Sequence, residues 1–123
     1  MTDMSLEGMT TDKLVEYFTK ISLDQYEAIL DEDNDEFNRL YDDMMALKDE
    51  FIKRGPDRRR SLIPSFNHPN PQVRFNAAMA MLAIVPDAAR QVLQIISDRN
   101  EQPQAMDARM IMKSIDAGRY IPT

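Results

Sequence analysis

Four prolines, Pro56, Pro71, Pro86 and Pro103, cut the C-terminal half of this 123-residue chain into segments of 15 to 17 residues. Proline lacks a backbone N–H and fixes φ near −65°, so it suits a first helical turn and is excluded from a helix interior. Each segment therefore has room for one short helix and its turn. Alternate starts lie 30 residues apart (56 to 86) and 32 apart (71 to 103). A period of this length with two helices per unit marks an α-solenoid. One such unit cannot bury its apolar face alone, so units must stack.

The N-terminal half reads differently. Met1 to Met9 is expected to be a frayed lead-in. Thr10 is placed to cap a first helix, with Met9 and Leu14 as a hydrophobic staple. Leu14, Phe18, Ile21, Tyr26, Ile29 and Leu30 recur at approximately helical spacing, which predicts a helix to about Asp31. Asn34 is the expected cap of a second helix, with Asp35 and Glu36 favourable at its positive end. Phe37, Leu40, Tyr41, Met44, Leu47 and Phe51 form its apolar stripe. Lys53 and Arg54 suit its C-terminal end, Gly55 the left-handed residue after it, and Pro56 the stop. The short connection predicts an antiparallel pair.

Beyond Pro56 a short helix should run through Leu62 and Ile63, kinked or ended by Pro64. Asn70 can cap, and Pro71 begin, a helix carrying Val73 to Ile84. A helix from Pro86 should bury Ala89, Val92, Leu93 and Ile96. One from Pro103 should bury Ala108, Ile111, Met112 and Ile115 and end at Gly118. No alternating run of β-branched or aromatic residues marks a strand.

Composition narrows the chemistry. With no Cys, a disulfide framework, a thiolate zinc site and a cysteine nucleophile are all excluded. The basic start and apolar run of a signal peptide are missing, as is any apolar stretch approaching the roughly 20 residues of a membrane span. A cytoplasmic location is expected. The net charge of −6 is unevenly spread: residues 1–50 carry 15 acidic and 4 basic side chains, residues 51–123 carry 6 and 11. Either the halves neutralise each other or one presents a charged face to a partner.

The stretch Asn70-Pro71-Gln72-Val73-Arg74-Phe75-Asn76-Ala77-Ala78-Met79-Ala80-Met81 resembles the second helix of a HEAT repeat, through Val73, Arg74, Ala77, Ala78 and Ala80. His68 and Asn70 stand where that family usually has aspartates, and Leu82 where glycine is frequent. The unit from Pro86 to Gly118 keeps the period without the motif. The whole chain also resembles a small family of uncharacterised bacterial proteins, through Gly55-Pro56-Asp57, His68-Pro69-Asn70, Val73 to Ala78 and Pro122-Thr123. That second resemblance implies a fold and no activity. HEAT-like folds mostly bind proteins, which is a fold-level analogy.

Candidate sites are few. Lys53, Arg54, Arg58, Arg59 and Arg60 put five cations in eight residues. They read as a contact for phosphate or an acidic partner, or as a solvated helix end balancing the acidic half. Asp31, Asp33 and Asp35 start like a calcium loop, but Glu36 occupies the position that needs glycine, so an acidic helix–helix turn is the better account. His68, the single histidine, reads as a turn-capping residue, with no second His or Cys to complete a metal cluster. Arg74 can pair with an acidic group of a neighbouring unit or meet a ligand. Met79, Met81, Met106, Met110 and Met112 read as core filler, or as an adaptable binding surface.

The expected protein is all-α, with about six helices in one domain, 1–123. An N-terminal antiparallel pair (10–54) is followed by a short HEAT-like α-solenoid of the right-handed α-α superhelix type (56–118). The expected function is non-enzymatic: a protein-interaction module without cofactor or metal, such as an adaptor or the inhibitor of a cognate toxin. Its partner segment would lie on a concave side lined by second helices, including Val73–Ile84. The acidic helices would suit a basic target, a nuclease for example, met by Asp42, Asp43 and Asp49. The alternative is nucleic-acid binding through Arg58, Arg59, Arg60 and Arg74. A homodimer is also compatible, since short solenoids with exposed ends self-associate.

Overall fold

The computed structural model describes residues 5–123, with the backbone alone at 56 and 57. Residues 1–4 of the expected lead-in lie outside the described residues. The fold is all-helical: among the described residues there are six α-helices, two 3-10 segments and no strand. They form two compact units, one up to Ser61 and one from Leu62 to Thr123.

The first unit contains a 3-10 turn, η1 (Leu6–Gly8), α1 (Thr11–Leu30), α2 (Asn34–Lys53) and the single-turn α3 (Pro56–Arg59). Thr10 caps α1 as expected, its hydroxyl oxygen accepting from the Lys13 N–H at 3.2 Å. The α1–α2 turn is tight. The Glu32 N–H donates to the Ile29 carbonyl and the Asp33 N–H to the Ala28 carbonyl, with Glu32 in the left-handed region at φ +56°. This double closure satisfies two orphaned carbonyls of α1. It also brings Asp33, rather than the expected Asn34, to the cap of α2, where its carboxylate accepts from the Glu36 N–H at 3.1 Å. Gly55 takes its expected left-handed conformation at φ +104°.

α1 packs on α2. α1 buries Leu14, Phe18, Ile21, Ser22, Gln25 and Ala28; α2 buries Leu40, Met44, Leu47, Glu50 and Phe51. The expected inward positions Tyr26 and Ile29 are only half-buried, and Leu30 and Tyr41 are at least half exposed. The reason is geometric: the core-facing ridge continues from Ile21 at steps of four and three, through Gln25 to Ala28, and Leu30 lies off it. The lead-in is pinned from Leu6 onward. Arg54 donates from Nε to Glu50 at 2.7 Å and from Nη2 to the Leu6 carbonyl at 2.9 Å, while Lys53 Nζ reaches the Glu7 carboxylate at 2.9 Å.

The second unit is entered through a 3-10 segment, η2 (Arg60–Asn67), followed by α4 (Pro71–Met81), α5 (Pro86–Asp98) and α6 (Gln104–Asp116). Pro64 neither kinks nor ends η2. Its ring excludes an α-helical bond to the Arg60 carbonyl, and the chain continues in the tighter 3-10 form. α4 opens with Asn70 accepting from the Gln72 N–H at 2.8 Å, and with Pro71 at the first position. It stops three residues short of the expected Ile84, because Val85 precedes Pro86 and is held out of helical geometry.

α4 packs on α5 and α6, and α5 on α6. Val73, Ala77, Ala78 and Met81 are fully buried, with Arg74 and Ala80 nearly so. A helix buried on this many sides carries little amphipathic signal. Its alanines permit the close approach expected of them. α5 contributes Ala89, Leu93 and Ile96 to this core, and α6 contributes Ala105, Ala108 and Met112. The expected inward residues Val92, Ile111 and Ile115 are half-buried. Gly118 ends α6 in the left-handed region at φ +74°.

Candidate functional site

The His68-Pro69-Asn70 turn is locked by its own side chains and by α4. The Asn70 N–H donates to His68 Nδ1 at 3.0 Å, so the ring proton sits on Nε2. Arg74 then ties the turn to the α5–α6 connection. It donates from Nε to the His68 carbonyl at 2.7 Å and from Nη2 to the Pro69 carbonyl at 3.2 Å. Its two terminal nitrogens also grip the Glu101 carboxylate at 2.7 and 2.8 Å. Arg74 is 8% exposed. The hydrogen-bonded guanidinium holds the Glu101 carboxyl below its ordinary range, helped by the charges of Arg74 and Arg99 and opposed by partial burial.

Beside this clamp lies a half-open groove of about 570 Å³ between η2 and α5. Ile63, Phe66, Ala88, Val92 and Ile95 make its apolar wall. Asn67, His68, Pro69, Arg74, Gln91 and Arg99 complete the lining, which contains no carboxylate. Ile63 and Ile95 are each more than a third exposed. The groove walls are held by cross-links: the Arg74–Glu101 fork on one side, and at the end of α5 Arg109, which donates to Ser97 Oγ at 2.9 Å and to the Ser97 carbonyl at 2.7 Å. Arg90 and Asp116 form a second fork at 2.7 and 2.8 Å joining α5 to α6.

The residues singled out in the sequence are dispersed. Asp42 and Asp49 are exposed on α2, seven residues apart on one face; Asp43 accepts from Arg39 at 3.1 Å. The cation run is divided by its environment: Lys53 and Arg54 are ion-paired, Arg59 is buried, and Arg58 and Arg60 are exposed. Burial pushes the Arg59 guanidinium down from its ordinary value, and burial together with the charge of Arg59 does the same to Lys48. Of the predicted contact residues, only Arg74 lines the groove, in the inter-element pairing role foreseen for it. Of the stretch expected to line a binding face, Val73, Ala77, Ala78, Ala80 and Met81 are buried where α5 and α6 pack on α4, while Phe75, Asn76 and Met79 are half-buried. Met81 and Met112 fill the core, while Met106 and Met110 lie exposed on α6.

Sequence reasoning missed the groove and a buried amide chain. Gln104, fully buried, donates to Gln72 Oε1 at 2.8 Å, and Gln72 donates to Asn76 at 3.1 Å. The Gln104 oxygen accepts no hydrogen bond among the described residues. No group of three or more His, Asp or Glu among those residues is placed to hold a metal ion, and no described helix is long and apolar enough to cross a membrane.

A family model described as "Domain of unknown function (DUF2019)" matches residues 12–116, spanning both units. The chain belongs to the DUF2019 family. Its fold is similar to that in the crystal structure of the protein RPA1889 from Rhodopseudomonas palustris CGA009. The two are 38% identical, the alignment covers 98% of this chain and 100% of that one, and the TM-score is 0.93. Comparison with curated proteins gives no match. For this DUF2019 chain the relatives thus establish the helical fold, and any reading of function rests on the groove and its surroundings.

Proposed function

We propose that this protein is a non-enzymatic protein-interaction module, an adaptor or an inhibitor, whose HEAT-like helices α4–α6 form the scaffold of a peptide-binding groove. The observation that carries this reading is the groove between η2 and α5: apolar along its wall, polar at its rim, and braced by the Arg74–Glu101 fork. A small-molecule site encloses most of its ligand, whereas this groove is half open, as suits a segment that brings its own surface. Bracing matters because a wall already fixed loses little freedom when a partner docks. The former cation cluster supports this choice over nucleic acid. Phosphate binding rests on solvated, unneutralised cations. Of the four arginines named for that role, Arg74 is committed to a carboxylate and Arg59 is buried, which leaves Arg58 and Arg60 exposed, two side chains where a phosphate-tracking face needs several.

The test is capture of partners by the tagged full chain from extract of its native cell, with and without nuclease, beside the Ile95→Asp variant. Ile95 is exposed, so the change leaves the core intact. A stoichiometric protein that survives nuclease and is lost with Ile95→Asp is expected. Recovery of nucleic acid alone, or a partner indifferent to the substitution, would overturn the assignment.

A further inference from the structure

Building on the protein-binding reading, we infer that the groove recognises an acidic, apolar segment of a partner: a bulky hydrophobic side chain on the Ile63–Val92–Ile95 wall and a carboxylate on Arg99. Charge complementarity within the site selects that occupant. Arg74 and Arg99 both line the groove, but their charges are spent differently. Arg74 is saturated, with its donors on Glu101 and on the carbonyls of His68 and Pro69. Arg99 is exposed, and although its charge reaches Glu101 through space, its side chain makes no hydrogen bond or ion pair among the described residues. Its backbone caps α5, which fixes the root of the side chain at the groove end.

The rest of the rim has the same polarity. His68 accepts with Nδ1, so Nε2–H is a donor, and the Gln91 amide adds another. No Asp or Glu lines the groove, although the chain as a whole carries a net charge of −6. A basic segment would find donors opposed to donors and a cation opposed to its own charge. A carboxylate meets a guanidinium able to take it in a two-pronged, charge-assisted bond. The apolar wall supplies area and the rim supplies direction, the usual division of labour in peptide grooves.

The experiment is selection of a displayed random heptapeptide library against the immobilised full chain. Enriched peptides are then remade and titrated into the wild type, Arg99→Gln, Arg99→Glu and Ile95→Asp, followed by amide chemical shifts. The expected result is enrichment of peptides pairing Asp or Glu with Leu, Ile or Phe, with shifts at Ile63, Val92 and Ile95. Affinity should fall about tenfold in Arg99→Gln, as for loss of one charge-assisted hydrogen bond, and further in Arg99→Glu. Amide spectra of Arg99→Gln identify a fold that is retained. Enrichment of basic or uncharged peptides at the groove would overturn this inference and leave the protein-binding reading standing. Affinity unchanged in both Arg99 variants would do the same. Absence of groove-dependent peptides would overturn it too, and partner capture with Ile95→Asp then decides the broader reading separately.

Discussion

The two units reach stability by different routes. The first is built from two 20-residue helices whose apolar ridges meet, and most of its ion pairs lie on exposed faces between residues three or four apart, as in Glu36–Arg39–Asp43 and Lys20–Asp24. Such pairs add little, because solvent screens them and two long side chains must be held still. The second has helices of 11 to 13 residues, too short to be stable alone. It compensates with arginines that span distant parts of the chain: Arg74 to Glu101, Arg90 to Asp116, Arg109 to Ser97. Long helices bring enough contiguous apolar surface to register themselves, whereas short ones need cross-links. The charge imbalance follows the same division. Sixteen acidic and nine basic side chains fall up to Ser61, and five and six from Leu62 onward. The cations at 53–60 therefore belong with the acidic helices, and several neutralise them locally.

The largest effect that could break this contrast is at Arg74. Arg74→Ala strands the partly buried Glu101 carboxylate and removes donors from two turn carbonyls, so a loss of about 3–5 kcal/mol is expected. It should be read as faster hydrogen exchange in α4, α5 and α6. Arg39→Ala, which breaks two ion pairs on an exposed face of α2, should leave the urea midpoint unchanged. Equal effects from the two substitutions would end the distinction.

A smaller effect follows from pH. The Glu101 carboxyl is held low when folded, so the unfolded chain binds its proton more readily. Stability from this pair is complete above the unfolded carboxylate value of about 4.3 and is lost as pH falls through the lower folded value. Glu101→Gln should lower stability at pH 7 and flatten its dependence on pH below about 4 relative to wild type. Urea midpoints between pH 3 and pH 7, roughly the window around that carboxylate range, measure both. A wild-type curve as flat as the variant's would show the fork to be unimportant.

How much of this was readable in the sequence depends on the reach of each interaction. Thr10, Gly55, Asn70, Pro71 and Gly118 act on backbone within a few residues, and each sits where local chemistry puts it. Asp33 displaced Asn34 as a cap because the left-handed Glu32 shifted the turn by one residue, and nothing in a glutamate announces that conformation. Gln25 and Gln104 escaped notice because a polar residue reads as solvent-facing, while Gln104 is admitted to the core only by Gln72, 32 positions away. The groove was invisible for the same reason. Its wall joins η2 to α5, and its clamp closes between residues 27 apart. A run of cations was legible as a run, but which members pair and which are buried is a tertiary outcome.

The two units also differ in how their helices end. Among the described residues three helix ends close on a left-handed residue with the same pair of hydrogen bonds: Glu32 after α1, Asn100 after α5 and Gly118 after α6. Glycine adopts this conformation freely, asparagine tolerates it, and glutamate bears the clash of its Cβ with the backbone. The first unit thus carries at its central turn a strain that Asn100 lessens and Gly118 avoids in the second. Glu32→Gly should raise stability by about 0.5–1 kcal/mol, the backbone relief exceeding the added entropy of the unfolded chain. Asn100→Gly also removes the side-chain oxygen that accepts from Gln102 at 2.8 Å and from Arg109 at 3.2 Å, so it should gain nothing and rank below Glu32→Gly. Gly118→Ala should cost about 1 kcal/mol for backbone reasons alone, since an added Cβ there meets nothing within 4 Å. Urea midpoints of the three variants check the ranking. If Glu32→Gly failed to stabilise, its side chain would have to contribute a contact large enough to offset the strain, and the acidic turn would then be a built feature of the α1–α2 pair.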